Sequence, residues 1–211
     1  MNELIGCDVS HWEVVSNWDK VETAFCITKA SQGTEMVDAK FASYWKEMKR
    51  VGIPRGSYHF LDAQHEAQGA AEARHYLSVL ESVGDLQPGD LPYCVDMEGT
   101  GTPAGAAGFI AEVKRLRPGS EVMLYCSMSV IPKRTFWDIL KRKAKWCGGK
   151  YLWVARYWSG DGPGVTQWHI YQSSDGKYGI EPHSTPGIGN CDIDRLRKGQ
   201  ATLDKMRVKE D

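Results

Sequence analysis

The sequence predicts an α/β protein: a parallel sheet or barrel made irregular by a partly antiparallel C-terminal portion. Two observations carry this. Short β-rich runs alternate with amphipathic stretches through most of the chain, the pattern of strands joined by helical crossovers. In the last third, the runs YLWVAR and TQWHIYQ are separated by the turn-rich SGDGPG with no helical segment between them, which points to antiparallel pairing there.

The strand-like runs cover 4–9, 24–29, 56–60, 91–98, 121–127, 151–156, 167–172 and 190–193. They are short and rich in Val, Ile, Tyr, Phe and Trp, and Gly, Pro or polar residues bound most of them. From Asp38 onward, Phe41, Trp45 and Met48 recur at helical spacing and Gly52 ends the run. Between Gln64 and Val83, the residues Tyr76, Leu77, Leu80 and Val83 form an apolar stripe. A third helix is expected over 103–116, where Pro103 suits a first turn. A fourth is expected over 132–146. It carries Lys133, Arg134, Lys141, Arg142, Lys143 and Lys145 against Asp138 alone, and reads as the solvated outer face of a barrel helix rather than a membrane-surface helix. Residues 1–196 form one expected domain, and the polar stretch 197–211 a loose tail.

Composition agrees with one domain: 211 residues, 42% hydrophobic, suffice for a substantial core. The net charge of -1 provides no global field to recruit nucleic acid or a membrane surface. No apolar run approaches the roughly 20 residues needed to span a bilayer. The opening MNELIGCDVSHW has no basic stretch followed by an apolar one, so no secretory signal is expected and synthesis in a cytoplasm is. Of the six cysteines, Cys7, Cys26, Cys94, Cys126 and Cys191 sit in strand-like runs and Cys147 does not. No pair has CxxC spacing, so buried free thiols are expected, with no cofactor.

Four acids, Asp8, Asp96, Glu98 and Asp192, stand at or near the C-terminal ends of strand-like runs, the ends that gather at the active face of a parallel barrel. In VDMEG, side-chain alternation turns Asp96 and Glu98 the same way, with Cα atoms roughly 6.6 Å apart, while Val95 and Met97 pack against helices. Two charges ~6 Å apart at an effective dielectric of ~20 repel by about 3 kcal/mol, on the order of two pKa units, so one carboxyl is expected to keep its proton. Such a pair suits glycoside hydrolysis, and an all-oxygen cluster also suits a divalent cation. Lys29, ending ITKAS, either neutralises this cluster or lies on the surface. Tyr125, Trp153, Tyr157 and Gln172 fall at strand ends, where they contact sugar or fill the core; His11 and Trp12 are similar. His59 is expected in a satisfied local hydrogen-bond network.

The stretches GCDVSHWE, FCITKASQGTEMVDAKF, GSYHFLD, LPYCVDMEG, LYCS, YLWVARY and NCDIDRL, in this order and spacing, resemble the glycoside hydrolase family 25 lysozymes, especially bacteriophage endolysins. That resemblance implies a flattened, TIM-like (β/α) barrel and hydrolysis of the β-1,4 bond between N-acetylmuramic acid and N-acetylglucosamine in peptidoglycan. It implies Glu98 as general acid and Asp96 as stabiliser of the oxocarbenium-like centre or as orienter of the acetamido group. Asp8 and Asp192 would tune charge or position water, and Tyr58 would touch substrate. Cysteines replace the family's usual Ile, Val or Phe, which affects packing rather than chemistry. A monomer acting on the cell wall after release from a host cytoplasm is the matching expectation. The remaining alternatives are a glycan-binding module that has lost catalysis and a metal-dependent hydrolase.

Overall fold

The computed structural model describes residues 4–127, 145–157 and 167–210. Its strands are β1 (Leu4–Val9), β2 (Cys26–Gln32), β3 (Met36–Val37), β4 (Arg55–Phe60), β5 (Tyr93–Asp96), β6 (Val122–Ser127), β7 (Tyr151–Ala155), β8 (Ile170–Asp175), β9 (Ser184–Thr185), β10 (Gly189–Asn190) and β11 (Asp192–Leu196). Its helices of more than one turn are α1 (Phe41–Val51), α2 (Glu66–Glu81), α3 (Pro103–Leu116) and α4 (Gln200–Met206). The main sheet runs β1-β11-β8-β7-β6-β5-β4-β2-β3, and an additional β1–β2 pairing closes it. With the short β3 outside the ring, the eight remaining strands form an irregular TIM-like barrel.

The antiparallel portion exists, but it arises differently from the expectation. β7, which takes up most of YLWVAR, and β8, which takes up the last three residues of TQWHIYQ, pair in parallel. The stretch between them is long enough for a crossover instead of a hairpin. The antiparallel strand is β11, which slots between β8 and β1 and opposes both. SGDGPG and nearly all of the predicted 132–146 helix, with every basic residue named for it except Lys145, lie outside the described residues.

Alternation sorts each strand into two layers. Cys7, Val95, Met97, Leu124, Cys126, Leu152 and Val154 share one core with Tyr76, Leu77, Phe109 and Val113 of the helices. Phe25, Ile27, Cys94, Met123, Tyr125, Trp153, Ile170 and Leu196 fill the barrel interior. Val95 and Met97 thus face helices and leave Asp96 facing inward, as the alternation of VDMEG requires.

Local chemistry sets the helices. In α1, Phe41, Tyr44, Trp45 and Met48 make the buried stripe, and Gly52 closes the helix at φ 77° with its N–H directed to the Lys49 and Met48 carbonyls. In α3, Thr102 accepts a hydrogen bond from the Gly105 N–H ahead of Pro103. α2 and α3 approach backbone to backbone: a Cβ on Gly69 would sit 1.9 Å from the Gly105 oxygen, and one on Gly108 2.1 Å from the Glu66 oxygen. The stretch expected as a loose tail instead carries α4. Leu203 and Met206 join the interior core, and Val208 N–H donates to Asp90 O. A seven-residue helix with three buried residues needs few apolar positions, so the polar composition hid it.

Candidate active site

The inward row of β1 ends at Asp8. Across the antiparallel ladder it faces Asp192, the first residue of β11. Asp192 therefore opens a strand instead of closing one, and β11's reversed direction brings it to the same mouth. Asp96 ends β5 and lies in register with Phe60 and Tyr125. Glu98 follows two residues beyond the strand, half-buried where Asp96 is 3% exposed.

Gln172 ties the far side together. Its Oε1 accepts hydrogen bonds from the Tyr125 and Tyr157 hydroxyls at 2.8 and 2.6 Å. Phenols occupying the oxygen orient the amide, so Nε2 donates to Asp8 Oδ2 at 2.6 Å and to Asp192 Oδ2 at 3.1 Å. Trp153 is 1% exposed and lies edge-on to Tyr58 and Tyr125, with its Nε1 donating to Asp194 Oδ1 at 2.7 Å. Trp153, Tyr125 and Gln172 are thus a buried floor beneath the acids, while Tyr58, Tyr157 and Lys29 are half-buried beside them.

Burial dominates the electrostatics. It raises Asp96 well above the ordinary range, reinforced by Glu98 and Asp8 and opposed by Lys29. It also raises Glu98, again against Lys29. Asp192 is pushed up to about 9, first by burial and then by Asp8. The mutual repulsion anticipated from spacing is present, but desolvation is the larger cause. Lys29 is drawn into this balance instead of lying free on the surface: its Nζ donates to Gln32 Oε1 at 2.8 Å and stands 4.7 Å from the Phe60 ring centre. Burial and the neighbouring acids also raise Tyr58 and Tyr125, which keeps both phenols protonated as donors.

His59 is buried between Ser31, at 2.8 Å from Nδ1, and Glu72, at 2.9 Å from Nε2. Burial lowers its pKa, and its role is to join β2, β4 and α2. His11 Nδ1 meets Asp38 Oδ2 at 2.7 Å, and the adjacent Trp12 is 79% exposed with its ring 4.6 Å from the histidine. The site residue absent from the sequence reading is Asp194. The alternation that paired Asp96 with Glu98 also places Asp194 on the inward face with Asp192. Among the described residues, no group of three or more His, Cys, Asp or Glu side chains is disposed to hold a metal ion, and all six cysteines are free thiols.

A sequence model of glycosyl hydrolases family 25 matches residues 7–179. Among curated proteins, Lysozyme M1 of Streptomyces globisporus is 37% identical over 76 residues, which is 35% of this chain and 26% of that protein. Several solved structures share the fold. The bacterial lysozyme from Streptomyces coelicolor superimposes with TM-score 0.74 at 24% identity over 98% of both chains. The catalytic domain of an endolysin from bacteriophage P40 of Listeria monocytogenes does so with TM-score 0.72 at 23% identity over 97% of both.

Proposed function

The chain belongs to glycosyl hydrolases family 25, and on that footing we propose that it is an N-acetylmuramidase, cleaving the β-1,4 bond between N-acetylmuramic acid and N-acetylglucosamine in peptidoglycan. The observation that carries this reading is the pair Asp96 and Glu98, both raised by burial, at the mouth of the barrel. A carboxyl that holds its proton near neutrality, next to a second carboxyl, is what protonating a glycosidic oxygen requires.

Glu98, the more open of the two, is the general acid. Asp96 lies deeper, and its Oδ1 is buried without a hydrogen-bond partner among the described residues. An acceptor left unpaired costs about 1–3 kcal/mol, which a substrate N–H or a developing positive charge would relieve. That fits Asp96 as stabiliser of the oxocarbenium-like centre or as the group that orients the acetamido N–H. Asp8 and Asp192, both held by Gln172, tune the charge or place the water. Lys29 limits how far both catalytic carboxyls are raised. Tyr58 and Tyr157 are the substrate contacts at the rim, and the protein acts as a monomer.

The first test is Glu98→Gln. Lysis of purified peptidoglycan falls by at least about a hundredfold while the circular dichroism spectrum is unchanged. A lytic rate near that of the parent removes Glu98 from the acid role. Mass spectrometry of the digest identifies the bond: reducing-end muramic acid marks a muramidase, whereas reducing-end glucosamine, anhydro-muramic acid or free peptides mark another class.

A further inference from the structure

The loop that leaves β1 at the mouth carries the most exposed large apolar side chain among the described residues: Trp12 is 79% exposed. A lone apolar residue at a surface is ordinary. This one differs in how firmly its backbone is held. Asp38, itself buried, accepts from the His11 N–H at 3.1 Å and meets His11 Nδ1 at 2.7 Å. Ser10 donates to Glu13 Oε2 through both its N–H and its hydroxyl, and that hydroxyl accepts from the Trp12 N–H. The Tyr44 hydroxyl donates to the Glu13 carbonyl and accepts from the Val15 N–H. The indole packs against the His11 ring, with centres 4.6 Å apart. Among the described residues its Nε1–H has no acceptor. Hydrophobic burial favours turning an indole inward, yet here a braced loop presents one to water.

We propose that the Trp12 indole is a stacking platform for one sugar ring of the glycan strand, at a subsite away from the cleaved bond. The inference rests on the muramidase reading and deepens it. Its place comes from the topology. β1 runs parallel to β2, and β2 to β4, so the loop after β1 belongs to the C-terminal rim where Asp8 stands. Four residues separate Asp8 from Trp12, which keeps their Cα atoms within about 14 Å. β5, which leads to Asp96 and Glu98, lies three strands away around the ring, past β2 and β4. Trp12 is therefore on the same rim as the acids but not beside the reacting bond. The size of the platform selects its occupant. An indole offers roughly 150–250 Å², whereas a stable protein partner needs about 800 Å² on each side. A pyranose ring presents a flat face of C–H groups that matches one indole, and its hydroxyls or acetamido carbonyl can accept from Nε1–H. Because the fold already orders the loop, little freedom is lost when the sugar arrives.

Trp12→Ala tests this, with soluble glycan strands stripped of their peptide stems as substrate. On long strands kcat/KM falls about three- to tenfold, chiefly through KM, the size of one lost aromatic contact. On the shortest fragment that is still cleaved, it falls less than twofold. Trp12→Phe keeps a flat ring and recovers most of the loss. An equal loss on long and short substrates, or no loss on either, overturns the proposal. A loss confined to strands that still carry their stems assigns the indole to peptide and overturns it as well. A second measurement needs no turnover. In Glu98→Gln protein, the Trp12 indole N–H resonance, identified by its absence from Trp12→Phe, shifts as stem-free strands are added, and a resonance that stays in place overturns the subsite. If that resonance shifts while the parent protein releases no reducing-end muramic acid, the enzyme reading fails and the sugar platform stands.

Discussion

Gln172 joins two phenols to two carboxylates through one amide, and its partners explain why sequence reading found its position but not its use. Its place in a strand at the barrel mouth was legible in TQWHIYQ. Its bond to Asp8 was not, because the two residues are 164 positions apart and meet only when the barrel closes. Tyr125 and Trp153 follow the same logic: candidates for contact with sugar, they are instead 5% and 1% exposed and hold the acids from below. Gln172→Leu therefore leaves the Tyr125 and Tyr157 hydroxyls without their acceptor and Asp8 without its donor. A stability loss of about 2–4 kcal/mol is expected from those unpaired groups, measured by urea unfolding. Lytic activity falls more than tenfold through misplacement of Asp8 and Asp192. A variant with parental stability and rate would show that the amide is not the hub described.

Elements whose signal is local were the legible ones. α1 and α3 begin and end where Gly52, Thr102 and Pro103 direct them, and the apolar stripe of α2 matches its buried residues Tyr76, Leu77 and Leu80. The place of β11 was not legible, since whether it opposes or parallels β8 depends on which gap in the ring remains. The contact of α2 with α3 was also hidden, because small residues emit no hydrophobic periodicity. Yet three glycines let the helix backbones touch, and Gly105 closes on the Ala63 oxygen, where a Cβ would sit 2.2 Å away. Backbone cannot retreat as a flexible side chain does. Gly105→Ala should thus cost about 2 kcal/mol or more, at the upper end for overpacking, and lower Tm by roughly 4–8 °C. Calorimetry decides this, and an unchanged Tm would mean that the helices separate freely.

At the scale of the whole molecule, the barrel mouth concentrates acid that Lys29 only partly offsets. Asp8, Asp96, Glu98, Asp192 and Asp194 all bind protons more tightly when folded than a free carboxyl does. The unfolded chain releases those protons near pH 4, while folded Asp192 keeps its own to about 9. Between those values the folded state binds more protons than the unfolded one, so stability falls as pH rises. This contribution is complete below about pH 4 and is lost as pH climbs through the folded values, the reverse of a carboxylate held in an ion pair. Tm is therefore expected to decline steadily from weakly acidic to alkaline solution, and Asp192→Asn should flatten that decline. Asp96→Asn carries the same logic into function. A neutral amide avoids the burial cost that raises Asp96, so at pH 7 or above the variant should melt higher than its parent, while its lytic rate collapses with the loss of the carboxylate. The charge that catalysis uses is then a charge that folding tolerates at a cost. A variant that is inactive and melts lower across the whole pH range would instead make Asp96 a structural support, and the site's electrostatics would need a different origin.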